Sequence, residues 1–160
     1  GTYNYRGGTL HQGVELGLSG SQRMGVGALD YRGSWTYSDF HFRAGEYAGK
    51  QIAGVPRHLI NAELMVRLGA WRFGPNLRWV PVSTPTDHAN TAGTQQESYA
   101  LLGLKVEWRD GPWALYLQAD NVTDRRYASS YAIRNQATAA QPGYLPGLGR
   151  SLTAGLTYKF

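Results

Sequence analysis

Four histidines, His11, His41, His58 and His88, are the side chains of this 160-residue chain best suited to metal or proton chemistry. No two stand at i, i+2 or i, i+4, and no cysteine is present to complete a thiolate set. The spacing therefore builds neither a zinc nor an iron site from protein ligands. His58, beside Arg57 and after Gly54-Val55-Pro56, reads as the start of a strand. The serines have no companion His and acid in a recognisable motif. The carboxylates Glu15, Asp30, Glu63, Glu107 and Asp120 share their faces with Arg and Lys, which describes a salt-bridged, hydrated wall. Gly7-Gly8 and the stretch Gly143 to Gly149 neither follow a buried strand nor open a helix, so they read as turns and not as phosphate cradles. The chain reads as a non-enzyme, with no cofactor and no metal.

Recognition chemistry is better represented. Arg125, Arg126, Tyr127, Tyr131, Arg134 and Tyr144 fall in one stretch. Planar guanidinium donors suit carboxylates and anionic chelates, and phenols add amphipathic contact area. Asn121-Val122-Thr123 is a glycosylation sequon in form only. Its expected role is to end a strand, with Asn121 and Asp124 bonding the local backbone.

The elements that must position these residues follow from periodicity. Ser151 to Phe160 alternates strictly, with Leu152, Ala154, Leu156, Tyr158 and Phe160 on one face and Ser151, Thr153, Gly155, Thr157 and Lys159 on the other. Period-two alternation indicates a strand with one apolar side, and about 9 to 11 such residues cross a bilayer when tilted. Six further segments repeat the pattern: Leu10 to Leu18, Ala28 to Ser38, Ile60 to Leu68, Trp71 to Trp79, Leu102 to Arg109 and Trp113 to Asp120. Pro75 lies inside the fourth, where a bulge or weak pairing is expected. The charges on every polar face make that face wet, so the apolar face is the one buried, against lipid or against a soluble core.

Composition agrees with β-structure rich in turns: 21 Gly, 11 Tyr and 5 Trp. Mean hydropathy is −0.42, and no run approaches the ~18 apolar residues of a membrane helix. The net charge of +5 comes from scattered Arg and Lys, not from the basic patch of a nucleic-acid binder.

Connection lengths alternate. Ser19 to Gly25, Gly69-Ala70 and Arg109 to Pro112 are short; Asp39 to Arg57, Ser83 to Gln96 and Val122 to Arg150 are long. Short turns at one end and long loops at the other mark an outer-membrane barrel. Trp71, Trp108, Trp113 and Phe160 then gather near the short-turn rim, and Trp35, Tyr37 and Trp79 toward the other, as interfacial girdles do.

Together with these strands, His11 to Leu16, Gly54 to His58, Asp87 to Thr91, Asp120 to Tyr127 and the terminal Tyr158-Lys159-Phe160 resemble the C-terminal barrel region of TonB-dependent outer-membrane receptors. Gly74 to Pro81 followed by Asp87 to Thr91 looks most like receptors for siderophores and other iron complexes. The resemblance implies an all-β, antiparallel, up-and-down transmembrane barrel of about 22 strands with a plugged lumen. Residues 1–160 would supply the last seven strands and, from Gly1 to Tyr5, the tail of an eighth. The plug domain and the box that contacts TonB would lie before them and are absent from this piece. The implied function is TonB-dependent uptake of a ferric siderophore or similar metal chelate. The implied partners are the outer-membrane bilayer, TonB and the barrel-assembly machinery, which would read Tyr158 and Phe160. The motif residues Asp124 to Tyr127 are expected to be structural, leaving Tyr131 and Arg134 as the ligand-binding candidates. Two other readings stay open: a complete eight-stranded barrel with a structural or adhesive role, and a soluble ligand carrier of lipocalin type.

Overall fold

The computed structural model describes residues 8–131, 133, 136, 138 and 144–160. Seven strands form one antiparallel sheet: β1 Thr9–Met24, β2 Gly27–Phe42, β3 His58–Leu68, β4 Trp71–Val80, β5 Tyr99–Asp110, β6 Trp113–Asp120 and β9 Ser151–Tyr158. Each pairs with the next in chain order, and β1 and β9 form the two edges. Between β6 and β9, β7 Ala128–Tyr131 and β8 Tyr144–Pro146 make a separate two-stranded ribbon. The expected Gly1 to Tyr5 tail lies outside the described residues.

Registers keep the two faces distinct across the sheet. Leu16 pairs with Trp35, Trp35 with Ile60, Ile60 with Trp79, and Leu104 with Ala119, so one side is largely apolar. Val14, Leu16, Leu64, Phe73, Trp79, Leu104, Leu152 and Leu156 are all exposed there, and no second layer of described residues covers them. A soluble carrier of lipocalin type would turn this face into a packed interior. Instead, the charged residues line the face that carries the recesses.

Three details depart from the sequence reading. Ser19 to Gly25 is not a turn: β1 continues to Met24 against Gly27, because Ser19, Ser21 and Arg23 carry the polar alternation on opposite Arg32, Asp30 and Ala28. The turn is Gly25-Val26, matching Gly69-Ala70 and Gly111-Pro112. In all three the first residue is a glycine at positive φ, 59°, 57° and 53°, as a two-residue turn of type II′ requires. The second departure is the β7–β8 ribbon, whose strands of 4 and 3 residues are too short to show alternation. Thirdly, regular strand ends at Tyr158, with Lys159 still donating its backbone N–H to Pro112 O at 3.0 Å; Phe160 lies just beyond.

Pro75 does weaken pairing, but without a bulge. The β3–β4 ladder runs Glu63 with Asn76 and resumes at Val66 with Phe73 in unchanged register, while Pro75 keeps its place opposite Leu104 on β5. Proline has no N–H to give, and Gly74 lets the β3 backbone come close at the same point.

Candidate functional site: the inner wall and the outer loop layer

The inner wall is built by cross-strand rows. Arg32 stands opposite Glu63, and Glu63 opposite Asn76. Glu63, with a side chain 22% exposed, receives Arg32 Nη2 at 3.2 Å and Lys105 Nζ at 3.1 Å. One turn-ward row below, Asp30 accepts from Arg67 Nε at 2.8 Å and lies 3.8 Å from Arg72 Nη2, while Arg67 also donates to Ser21 Oγ at 3.0 Å. Each carboxylate thus bridges two cations drawn from different strands. Exposed pairs of this kind contribute little singly, so their main consequence is to fix side-chain positions on a hydrated wall. Further along, Tyr116 donates to Gln118, and Gln118 Nε2 to Asp120 Oδ1 at 2.8 Å. Gly103 makes room for Asn76: a Cβ there would stand 2.6 Å from Asn76 Oδ1.

At the long-loop end, residues 43–57 and 81–98 dock on each other. Asn90, at φ 52°, reads the backbone of Gln51 from both sides: its Oδ1 accepts from Gln51 N and its Nδ2 donates to Gln51 O, each at 2.8 Å. Gly54 N donates to Pro85 O at 2.9 Å. Asp87, fully buried, accepts from Thr91 N at 2.9 Å. His88 packs edge-on against Phe42, ring centroids 5.0 Å apart, with Tyr47 alongside. These contacts were missed in sequence, although Asp87, Asn90 and Thr91 stand at the three- and four-residue spacing at which Asp and Asn bond nearby backbone.

Burial is the main influence on His88 and lowers its pKa; the neighbouring Asp87 opposes this in part. The folded value then lies below the unfolded one of about 6.5, so the unfolded loop binds the proton more readily. The loop contact is at full strength above about pH 6.5 and weakens as pH falls through the folded value. Limited proteolysis of the intact protein should therefore cut residues 83–96 faster at pH 5 than at pH 7.5, and His88→Phe should flatten the difference.

The third loop is anchored by Asn121, which is 6% exposed at φ 48°. Its Nδ2 donates to Arg125 O at 2.9 Å and Leu148 O at 3.1 Å, and its Oδ1 accepts from Arg125 N at 2.9 Å. Asp124 Oδ1 accepts from Arg150 N at 3.0 Å, and Tyr127 stacks on Tyr99 with centroids 5.2 Å apart. Asn121 thus ends β6 through bonds to nearby backbone, as its sequence implied, whereas Asp124 bonds the distant backbone of Arg150, just before β9. Asn121→Ala should cost about 1–3 kcal/mol by stranding buried groups and should speed cleavage within residues 122–150.

Of the two ligand candidates, Tyr131 closes β7 opposite Tyr144, and Arg134 lies outside the described residues. Tyr158 and Phe160 are both exposed on the apolar face. Tyr158 meets Trp113 edge-on at 4.8 Å and Phe160 at 5.2 Å, extending a rim begun by Trp71 against Trp108 at 6.4 Å. His58 begins β3, accepting from Trp35 Nε1 at 3.1 Å. Among the described residues, no three His, Asp or Glu gather to hold a metal ion.

Residues 1–122 match the family model for the TonB dependent receptor-like beta-barrel. The chain belongs to this family. No curated protein matches it. Among solved structures, the ferric yersiniabactin uptake receptor FyuA from Yersinia pestis superposes with a TM-score of 0.69 at 22% identity, over 95% of this chain. The chain spans 24% of that receptor's length. As part of a TonB-dependent receptor barrel, the seven-stranded sheet has its reason for two open edges: it is a sector of a larger wall.

Proposed function

We propose that this chain forms part of the wall and outer loop layer of an outer-membrane receptor that takes up a ferric siderophore or similar metal chelate, driven by TonB. The observation that carries the reading is membership of the TonB-dependent receptor barrel family, from residues 1–122. A sheet with an exposed apolar face, an ion-lined opposite face and all its long loops at one end supports it. The apolar face meets lipid, the short turns face the periplasm and the loops face outward. TonB engages the receptor through an N-terminal region outside residues 1–160. Loop residues Tyr131 and Arg134 contribute to chelate binding.

The test is uptake of radiolabelled iron by Gram-negative cells carrying the full-length receptor as the sole receptor of its kind. Uptake of at least one iron chelate should appear with the gene and vanish when TonB is deleted. Uptake of no chelate, or uptake indifferent to TonB, sinks the reading. In the same cells, Tyr158→Ala with Phe160→Ala should lower the amount of folded receptor if the barrel-assembly machinery reads this strand end; an unchanged amount sinks that role.

A further inference from the structure

Apart from Met65 and Gly103, every buried residue among those described lies in the three long loops or at a strand end beside them: Ala53 in the first loop, Thr84 to Asp87 in the second, Ala128 in the third. The tightest packing in this chain is therefore in its outer layer, not in its sheet.

The second loop, residues 81–98, is the centre of that layer and is braced internally. Thr84 and Gln96 exchange backbone bonds at 2.8 and 2.9 Å, and Thr86 Oγ1 donates to Thr94 O at 2.7 Å, with Thr84 and Thr86 fully buried. The first loop, residues 43–57, is tied to it where Asn90 holds Gln51 and Pro85 O accepts from Gly54 N. The third loop is tied to its other flank. Gln96 Oε1 accepts from Ala128 N, where β7 starts, at 2.7 Å, and Ser98 O accepts from Arg125 Nη2 at 3.2 Å. Gln96 thus belongs to the brace through its backbone and to the third loop through its side chain.

A loop that lifted alone would take a partner from half-buried polar groups on its neighbour and uncover the apolar surface packed there, Tyr99 beneath Tyr127 for example. Each opening is thereby coupled to the next, the condition for a contiguous cooperative unit. We infer that the three outer loops open and close as one body, with the second loop as its keystone and Asn90 and Gln96 as its two joints. The inference goes beyond the uptake reading and holds for any transported solute. Its consequence is that a displacement of β7, which carries Tyr131, also carries residues 43–57. The layer is one lid and not three flaps.

Native-state hydrogen exchange on the full-length receptor in detergent, with urea raised to below the concentration that unfolds the barrel, reads the opening of each loop. In the wild type, the amides of Gln51, Gly54, Thr91 and Ala128 should converge on one opening free energy with one urea dependence, while mid-strand amides of β5 stay protected. Gln96→Ala, which removes the joint to the third loop, should speed exchange at Gln51 and Gly54 by about tenfold, the scale of one part-buried hydrogen bond lost. Asn90→Ala should speed Ala128 by a similar factor. Separate opening free energies for the three loops in the wild type overturn the inference, and that measurement needs no variant to fold. Acceleration confined to the loops that the substituted side chain bonds overturns it too. So does equal acceleration in β5, because the loops would then open only with the whole wall.

Discussion

Leu104→Arg should destabilise the folded receptor in lipid by about 2–4 kcal/mol, the cost of a cation on the outer surface of a barrel near the bilayer midplane. Leu104 sits midway along β5, between Pro75 on β4 and Ala119 on β6, and is 47% exposed on the apolar face. The neighbouring position Lys105 already carries a charge, but it points to the inner wall and is bonded to Glu63. Two adjacent residues should thus respond in opposite ways: arginine is ruinous at 104 and mild at 105. Denaturant unfolding of the receptor in liposomes measures both. An unfolding midpoint for Leu104→Arg equal to wild type would remove the lipid-facing assignment.

Gly74→Leu should be comparably damaging for a different reason, at about 3 kcal/mol, the upper part of the range for overpacked sites. A Cβ at residue 74 would be driven into the Leu64 carbonyl oxygen, would stand 2.7 Å from that carbonyl carbon and 3.1 Å from Met65 Cα, and all three belong to backbone that cannot swing aside. The ladder is already interrupted here by Pro75, so residues 64–65 of β3 and 74–75 of β4 are not held by paired positions of their own. Gly155 is the control. A Cβ there would make ordinary contact with Tyr116 Cδ1 at 3.7 Å, and Gly155→Ala should leave the midpoint where it was. Equal behaviour of the two glycines would show that the close approach at Gly74 is relieved without cost.

What was legible in the sequence follows from what a strand does locally. Alternation is imposed by the pleat, so the sorting of Leu152, Leu156, Leu104 and Val106 from Thr153, Thr157, Lys105 and Glu107 appears in the residues before any fold exists. The end of β1 was misjudged because Ser19, Ser21 and Arg23 read as polar loop when their partners across the ladder are unknown. Once Asp30 and Arg32 stand beside them, they are the polar half of a strand.

The outer layer and the ion pairs of the inner wall were not legible, for one physical reason. Both depend on pairs far apart in the chain: Asn90 with Gln51, His88 with Phe42, Arg67 with Asp30, Lys105 with Glu63. Periodicity reports which face a side chain takes, and nothing about which residue of another strand stands beside it. Register decides that, and register is a property of the assembled sheet. The amino-acid sequence by itself determined strand type, the two faces, the turns at Gly69 and Gly111 and the β6-ending role of Asn121, since each is set by a residue and its immediate neighbours. Only the tertiary structure decided which carboxylate bridges which cations and how the loops lock together, because those follow from six ladders being in register at once.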